Sequence, residues 1–206
     1  MISADIEKSL KAYKGRHVLK IKKDFAPGSI TKVYGPSGAG KTTFLKTIAG
    51  FTLPERGLIT SGGETWLDTA KKINLPPQQR RVGFVFQDYA LFPNMTVLKH
   101  LEYATNDNAW ITRLLSIGKL ETLTSHKPEY LSGGQQQRLA ILRALAIRPR
   151  LILMDEPFSA LDPYTKSVLI DELNEVFSEL KATVLIVTHN PQELDSLTDL
   201  EFVIEH

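Results

Sequence analysis

The sequence predicts an α/β fold with a mainly parallel sheet, an antiparallel β portion at the N-terminus and a helical insertion at about residues 94–130. Three observations predict this class. Strands and helices alternate in the second half of the chain, which is typical of a parallel sheet. A glycine-rich loop at residues 35–43 stands between a predicted strand and a predicted helix. Residues 94–130 carry helical patterns and no convincing strand.

Length and composition limit the possible architectures. The 206 residues suffice for one sizeable domain, so we expect a single unit over residues 1–206. The net charge is only +2 and the basic residues are scattered, which argues against nucleic acid as a partner. The absence of cysteine excludes a disulfide framework or a thiolate metal site. No apolar run has the length of a membrane span, and the N-terminus lacks a secretory pattern, so we expect a cytoplasmic chain.

The first half of the chain contains short strands separated by turns. Apolar residues among lysines at 18–21, a turn at 26–28 and a strand at 29–34 predict a hairpin-like start. Tyr13 precedes it and either stacks on a purine ring or packs beneath the hairpin. Residues 58–60 and 65–67 predict two strands around a turn at 61–63. Residues 81–87 predict a strand buried on both faces, with Gln87 at its carboxyl end.

The second half contains the longer elements. Helices are predicted at 97–104 and 109–117, inside the insertion, and at 135–147, 163–180 and near 191–197. Strands are predicted at 151–154, 183–187 and 202–204. The apolar residues of the insertion are expected to form a small core of their own: Val97, Leu98, Leu101, Trp110, Leu114 and Leu115.

The glycine-rich loop has the pattern G-x-x-x-x-G-K-[ST] of a P-loop, which indicates the P-loop NTPase class of α/β fold. Its glycines allow successive N–H groups to point inward, and the start of the following helix adds partial positive charge. Lys41 would reach the outer phosphates of a nucleotide, and the Thr42 hydroxyl would bind Mg²⁺. The alternative is a plain glycine-rich turn with an exposed lysine. The loop consists of Gly35, Pro36, Ser37, Gly38, Ala39, Gly40, Lys41, Thr42 and Thr43.

Polar residues follow the predicted buried strands at the edge where parallel strands gather ligands. Asp155 ends one strand and is placed to hold the Mg²⁺ shell. Glu156 comes next and is a candidate proton acceptor for an attacking water, although an Asp-Glu pair can also cap a turn. His189 follows another strand, where a neutral imidazole could bond a phosphate oxygen or that water. Gln87 shares the same predicted edge.

A second small-residue loop, Ser132, Gly133, Gly134 and Gln135, opens a predicted helix. A helix N-terminus is a potential anion site, so this loop is a second candidate for contact with phosphate. The ordinary alternative is a serine-glycine turn that only starts the helix.

In this order, the P-loop, Gln87, Leu131-Ser132-Gly133-Gly134-Gln135, Asp155-Glu156, Ser159-Ala160-Leu161-Asp162 and His189 resemble the nucleotide-binding subunit of an ATP-binding-cassette transporter. The resemblance covers nearly the whole chain. It implies a head-to-tail homodimer in which the loop at Ser132 of one copy closes over ATP on the P-loop of the other. It also implies separate integral membrane subunits, with this chain at the cytoplasmic face of the membrane.

Carried over by position, the resemblance implies ATP hydrolysis with Mg²⁺. Thr42, Gln87 and Asp155 are then the metal residues, and Glu156 is the general base. His189 becomes the γ-phosphate sensor and Lys41 a catalytic phosphate ligand. The residues implied to contact the nucleotide are Tyr13, Gly35, Pro36, Ser37, Gly38, Ala39, Gly40, Lys41, Thr42, Thr43, Gln87, Ser132, Gly133, Gly134, Gln135, Asp155 and Asp162, of which Asp162 acts across the dimer and Tyr13 stacks on adenine.

A narrower resemblance comes from residues 75–93, which are similar to the importer ATPases for oxyanions and sugars, and most like the molybdate type. Two other interpretations remain. A soluble cassette ATPase that clamps ribosomes or DNA has the same motifs, but such proteins usually carry two cassettes or a coiled-coil insertion. A nucleotide-binding switch without turnover is disfavoured by the presence of both Glu156 and His189.

Overall fold

A computed structural model describes residues 1–12, 15–198 and 200–205. Across these residues the strands form two five-stranded sheets, one antiparallel and one parallel. The predicted α/β class with an antiparallel N-terminal portion is confirmed. Among the described residues, no helix has both the length and the apolar character needed to cross a bilayer.

The antiparallel sheet contains β1 (Ile2–Ala12), β2 (Gly15–Phe25), β4 (Arg56–Ser61), β5 (Glu64–Asp68) and β6 (Ile73–Asn74), in the order β2-β1-β4-β5-β6. Alternate residues of β1, Ile2, Ala4 and Ile6, are buried, as expected for a strand with one face on the core. The predicted hairpin around the turn at residues 26–28 is wrong, because that turn leads from β2 into the other sheet. Strand β2 pairs instead with β1.

The parallel sheet contains β3 (Ile30–Tyr34), β7 (Val82–Val85), β8 (Leu151–Asp155), β9 (Thr183–Val187) and β10 (Leu200–Val203), in the order β10-β3-β9-β8-β7. All residues of β8 and β9 are buried, which explains their unbroken apolar sequences. Because every pairing is parallel, all five carboxyl ends lie at one edge. The residues that follow β3, β7, β8 and β9 are therefore brought together.

The helices are α1 (Lys41–Ala49), α2 (Pro77–Arg80), α3 (Val97–Glu102), α4 (Asn108–Gly118), α5 (Gly133–Ala146) and α6 (Pro163–Leu180). Tight 3-10 turns occupy Glu121–Leu123, Pro128–Tyr130 and Pro191–Leu194. The last of these replaces the short helix predicted near 191–197. Helix α5 begins two residues earlier than predicted because Ser132 caps it, and α6 has the predicted bounds.

The expectation that the insertion has a core of its own is wrong. Its buried residues, including Val97, Trp110 and Leu114, belong to one continuous apolar cluster with α5, α6, β8 and β9. The cause is the position of α5, which α3 and α4 both contact. Helices α3 and α4 are therefore anchored on the same helix that begins after Ser132.

Candidate nucleotide-binding site

A cavity of about 400 Å³ lies at the carboxyl edge of the parallel sheet. The four polar residues predicted at this edge, Gln87, Asp155, Glu156 and His189, all line it. The P-loop forms the opposite side of the cavity. The lining residues are Leu10, Ser37, Gly38, Gly40, Lys41, Thr42, Thr43, Gln87, Asp155, Glu156, Val187 and His189.

The P-loop leads into the start of α1, and residues of both line the cavity. Gly40 precedes the helix in the left-handed conformation, with φ of 97°, and within the described chain no side chain caps α1. Such orphan N–H groups at a helix start bind anions. The positive φ is what favours glycine at this position, since a Cβ on Gly40 would meet only the movable ends of leucine side chains, the nearest being Leu10 Cδ1 at 2.7 Å.

Lys41 is buried, and its ammonium group is held by the loop itself. Its Nζ donates to the carbonyl oxygens of Gly35 at 2.8 Å and Pro36 at 3.0 Å. A lysine ammonium has three N–H donors, so one remains for a phosphate oxygen. The two bonds fix the ammonium charge against the P-loop.

Three predicted P-loop residues do not line the cavity. Gly35 and Pro36 support the site through the carbonyl oxygens that bind Lys41. A Cβ on Gly35 would lie 2.1 Å from the carbonyl oxygen of Ile204, so only glycine fits there. Ala39 is fully buried in the core beneath the loop.

Asp155 is the best placed metal ligand of the cavity. It is 2% exposed, and its Oδ1 has no hydrogen-bond partner in the described part of the chain. Burial raises the pKa of Asp155, and a hydrogen bond from Thr42 opposes that shift. A buried, unpartnered carboxylate oxygen beside a hydroxyl and the amide of Gln87 is a donor set of the oxygen type that Mg²⁺ prefers.

The described residues contain no cluster of three or more His, Cys, Asp or Glu side chains that could hold a metal alone. Mg²⁺ usually keeps several waters and is bound by one or two carboxylates together with substrate phosphates. The donor set around Asp155 therefore fits a metal ion that arrives with a nucleotide.

Glu156 and His189 form a pair at the mouth of the cavity. The His189 backbone N–H donates to Glu156 Oε2 at 3.3 Å, and His189 Nε2 lies 3.2 Å from Glu156 Oε1. Apart from this contact with the His189 ring, Oε1 has no hydrogen-bond partner among the described residues. Burial raises the pKa of Glu156, His189 lowers it, and Asp155 raises it further. Because Glu156 lines the cavity, its carboxylate can accept a proton from a water bound there.

The backbone of Glu156 is left-handed, with φ of 52°. For a residue with a side chain this conformation costs roughly 1–2 kcal/mol and persists only where neighbouring contacts hold it. Its N–H donates to the carbonyl oxygen of Val187 at 3.0 Å. Strain of this kind is common at functional positions.

The predicted contacts of the second loop are not in this cavity. Ser132 and Gly133 are exposed at the start of α5, and Gly134 and Gln135 are half-buried. Ser132 Oγ accepts from the Gln135 N–H at 3.3 Å, and Gln135 Oε1 accepts from the Ser132 N–H at 2.8 Å, which is a capping box. Ser132 and Gln135 thus have the ordinary role of capping the start of α5.

Asp162 is exposed and caps α6 by accepting from the Thr165 N–H at 3.0 Å. Hydrogen bonds from Thr165 lower the pKa of Asp162, so this carboxylate is charged at neutral pH. Tyr13 lies outside the described residues. Two lining residues, Leu10 and Val187, were not predicted from the sequence as part of the site. Leu10 had no motif to mark it, and its only signal was the apolar alternation of β1.

Comparisons with known proteins show which proteins this chain is similar to. The family model described as ABC transporter matches residues 18–159. The molybdenum import ATP-binding protein ModC of Haemophilus ducreyi is 39% identical over 189 residues, which cover 91% of this chain and 54% of that protein. The ModC protein of Escherichia coli is 38% identical over 194 residues, covering 93% and 55%. The chain thus spans about half the length of the curated relatives it matches.

Two solved dimers of one ATP-binding cassette have the same fold. Each has a TM-score of 0.84 to this chain, with 30% and 31% identity. The matches cover 99% and 100% of this chain and 94% of each solved chain. The first of these is a post-hydrolysis state bound to ADP and Pi.

Proposed function

The chain belongs to the ABC transporter family, and on that premise we propose that it binds ATP with Mg²⁺ and hydrolyses it to drive solute transport through separate membrane subunits. The observation that carries this proposal is the buried carboxylate of Glu156. Glu156 lines the same cavity as Lys41 and the P-loop. A phosphate-binding loop alone would support binding, whereas a buried carboxylate beside it supports hydrolysis.

The polar groups that line the cavity have distinct tasks in the proposed reaction. The N–H groups of the P-loop and Lys41 hold the β- and γ-phosphates. Thr42, Gln87 and Asp155 would hold Mg²⁺, which neutralises charge on those phosphates when bound. Glu156 orients a water and takes its proton, and the partly exposed ring of His189 donates to a γ-phosphate oxygen.

The exposed start of α5 is assigned to a second copy of the chain. Ser132 and Gly133 face solvent beside an N–H-rich helix terminus, with Asp162 exposed on the adjoining segment. In a head-to-tail homodimer, this surface would close over ATP bound to the partner's P-loop, so that two helix termini face one triphosphate. The dimeric state of the similar cassettes supports this arrangement.

The proposed solute is molybdate or a similar oxyanion, and the proposed direction is import. The support is the sequence identity of 39% and 43% with two molybdenum import proteins across most of this chain. Those relatives are longer, so this assignment concerns the activity of a whole transporter. As its ATP-binding subunit, the chain would lie at the cytoplasmic face of the membrane.

Exposed aromatic side chains near Gln87 offer a docking surface for the membrane subunits. Phe51 is 49% exposed, and its ring lies 5.4 Å from that of Phe86, which directly precedes Gln87. Further along the same segment, Phe92 contacts Tyr103, which is 70% exposed. Large exposed aromatic side chains of this kind are typical of interaction sites.

The test is ATPase activity of the chain purified alone and with its membrane subunits. We expect Mg²⁺-dependent phosphate release that is lost in Lys41→Ala. In liposomes that contain the assembled transporter, molybdate supplied with its binding protein should stimulate turnover, and sulfate is the control anion. Absence of phosphate release by the wild-type chain and by the complex would contradict the proposed hydrolysis, and stimulation by a different solute would contradict the proposed substrate.

A further inference from the structure

Gln137 is a buried polar residue that no motif identified. It is 1% exposed and lies on α5, one turn after the capping box at Ser132. Its Nε2 donates to the carbonyl oxygen of Glu156 at 3.1 Å and to Ser159 Oγ at 3.2 Å. Its Oε1 accepts from the Ala160 N–H at 3.0 Å. Both ends of the amide are therefore bound to the segment that follows β8.

These bonds act on the strained residue of the site. Glu156 has a left-handed backbone, and its two backbone polar groups are fixed from opposite sides. Val187 binds its N–H, while Gln137 and the Ser159 hydroxyl, at 3.2 Å, bind its carbonyl oxygen. The backbone conformation sets the direction of the side chain, so the bond from Gln137 helps to aim the carboxylate.

The segment after Glu156 packs against the start of α5. A Cβ on Gly134 would lie only 3.2 Å from the carbonyl oxygen of Ala160. A side chain at this position would require the segment to move by a few tenths of an ångström, so the two pack closely where the amide of Gln137 reaches Ala160. Gln137 joins the hydrolytic carboxylate to the helix whose start is offered to the partner copy.

We propose that Gln137 is a positioning residue, whose amide fixes the backbone of Glu156 and thereby the carboxylate that accepts the proton from water. This inference rests on the proposed ATP hydrolysis. Gln137 does not line the cavity, so it contacts neither the phosphates nor the metal site. Its loss should affect the chemical step and leave ATP binding intact.

The main variant is Gln137→Met, which keeps the length of the side chain and removes its hydrogen bonds. We expect kcat to fall about 10- to 100-fold, because small misplacement of a catalytic group has effects of this size. KM and the dissociation constant for ATP should stay within about twofold of the wild-type values, since the P-loop is unchanged. A kcat within twofold of wild type would overturn the proposal.

Two control variants separate positioning from general damage. Gln79→Met makes the same chemical change at an exposed site and should leave kcat unchanged. Ile141→Val, on the same helix as Gln137, creates a small void in the core and should lower the melting temperature without changing kcat at 20 °C. If Ile141→Val lowers kcat as much as Gln137→Met, then loss of stability explains the effect and the proposal is wrong.

A double-mutant cycle gives a readout that a merely structural role would not move. In single-turnover assays, Gln137→Met should change the residual rate of Glu156→Gln less than twofold, because the group it positions has already been removed. If the rate reductions of the two single variants multiply in the double variant, the proposal is contradicted.

A second variant keeps the proposal testable if Gln137→Met does not fold. Ser159→Ala, at an exposed site, removes the other hydrogen bond to the carbonyl oxygen of Glu156. We expect kcat to fall about threefold through loss of one hydrogen bond, with KM unchanged. An unchanged kcat in Ser159→Ala would then overturn the positioning role of these bonds.

The wild-type rate distinguishes this inference from the function on which it rests. If the wild-type chain and its complex with membrane subunits release no phosphate, the proposed hydrolysis fails. If they release phosphate and the variants at Gln137 and Ser159 do so at the same rate, only the positioning role fails.

Discussion

Replacing Glu156 with glutamine should keep ATP in the cavity and nearly stop its hydrolysis. The amide has almost the same shape as the carboxylate, and its oxygen can still accept from the His189 backbone N–H, which now lies 3.3 Å from Oε2. The groups assigned to the phosphates are on the P-loop and are unchanged. The variant loses the carboxylate that can accept a proton.

The size of the effect follows from the role of the lost group. General base catalysis contributes about 10²- to 10⁴-fold, so the barrier should rise by about 2.7–5.5 kcal/mol. Stability should move little or in the opposite direction. Burial raises the pKa of Glu156, which means that its charged form is disfavoured in the folded protein, and a neutral amide avoids this cost.

The assay combines phosphate release with binding of a fluorescent ATP analogue by wild type and variant. We expect turnover to fall by at least about 100-fold while the dissociation constant changes less than about threefold. A matched control is Glu175→Gln, an exposed position on α6, which should behave as wild type. Unchanged turnover in Glu156→Gln would remove Glu156 from the role of base and refute the reasoning from its buried carboxylate.

The remaining predictions concern the P-loop, the second loop and pH. Lys41→Ala should weaken ATP binding at least about tenfold, because it removes a charged phosphate ligand; unaltered affinity in a calorimetric titration would contradict the phosphate-binding role of the loop. Ser132→Arg should bind ATP normally as a monomer and fail to dimerise, and a normal ATP-driven dimer in light scattering would count against the composite site. The wild-type rate should fall as pH drops through the raised pKa of Glu156, above the ordinary value of 4.5, since protonation removes the base; a rate that stays constant down to pH 4.5 would disagree. Over the same window the nucleotide-free fold should gain stability as pH falls, because the folded state binds the proton more tightly than the unfolded state, and Glu156→Gln should reduce this gain in thermal unfolding.

The parallel sheet and its edge could be predicted because their causes are local. Strands β8 and β9 are buried on both faces, so they are continuous apolar runs, and the polar residues after them must lie at one edge. The P-loop pattern implies its own context of strand and helix. In a parallel sheet the carboxyl ends of the strands lie at one edge. Gln87, Asp155 and His189 therefore line one cavity, as predicted.

What the sequence did not predict depends on contacts between distant segments. Strand β1 carries charged residues on its outer face, so the sequence did not indicate how long it is. Its length is set by its pairing with β2 along the full strand. Leu10 reaches the site through that strand. The apolar residues of the insertion could not be assigned to the main core without the position of α5. The role of Gln137 could not be predicted, because it depends on a hydrogen bond to the carbonyl oxygen of Glu156, which is distant in sequence.

The most direct test of the central claim is complementation between two defective copies. A Lys41→Ala copy keeps an intact turn at Ser132, and a Ser132→Arg copy keeps an intact P-loop. Light scattering with ATP should find only monomers for each variant alone. When the two are mixed, with Glu156→Gln present in both to prevent turnover, ATP should produce a dimer that retains one nucleotide. Dimers of either variant alone, or monomers in the mixture, would contradict a nucleotide site shared between the P-loop of one copy and the α5 start of the other.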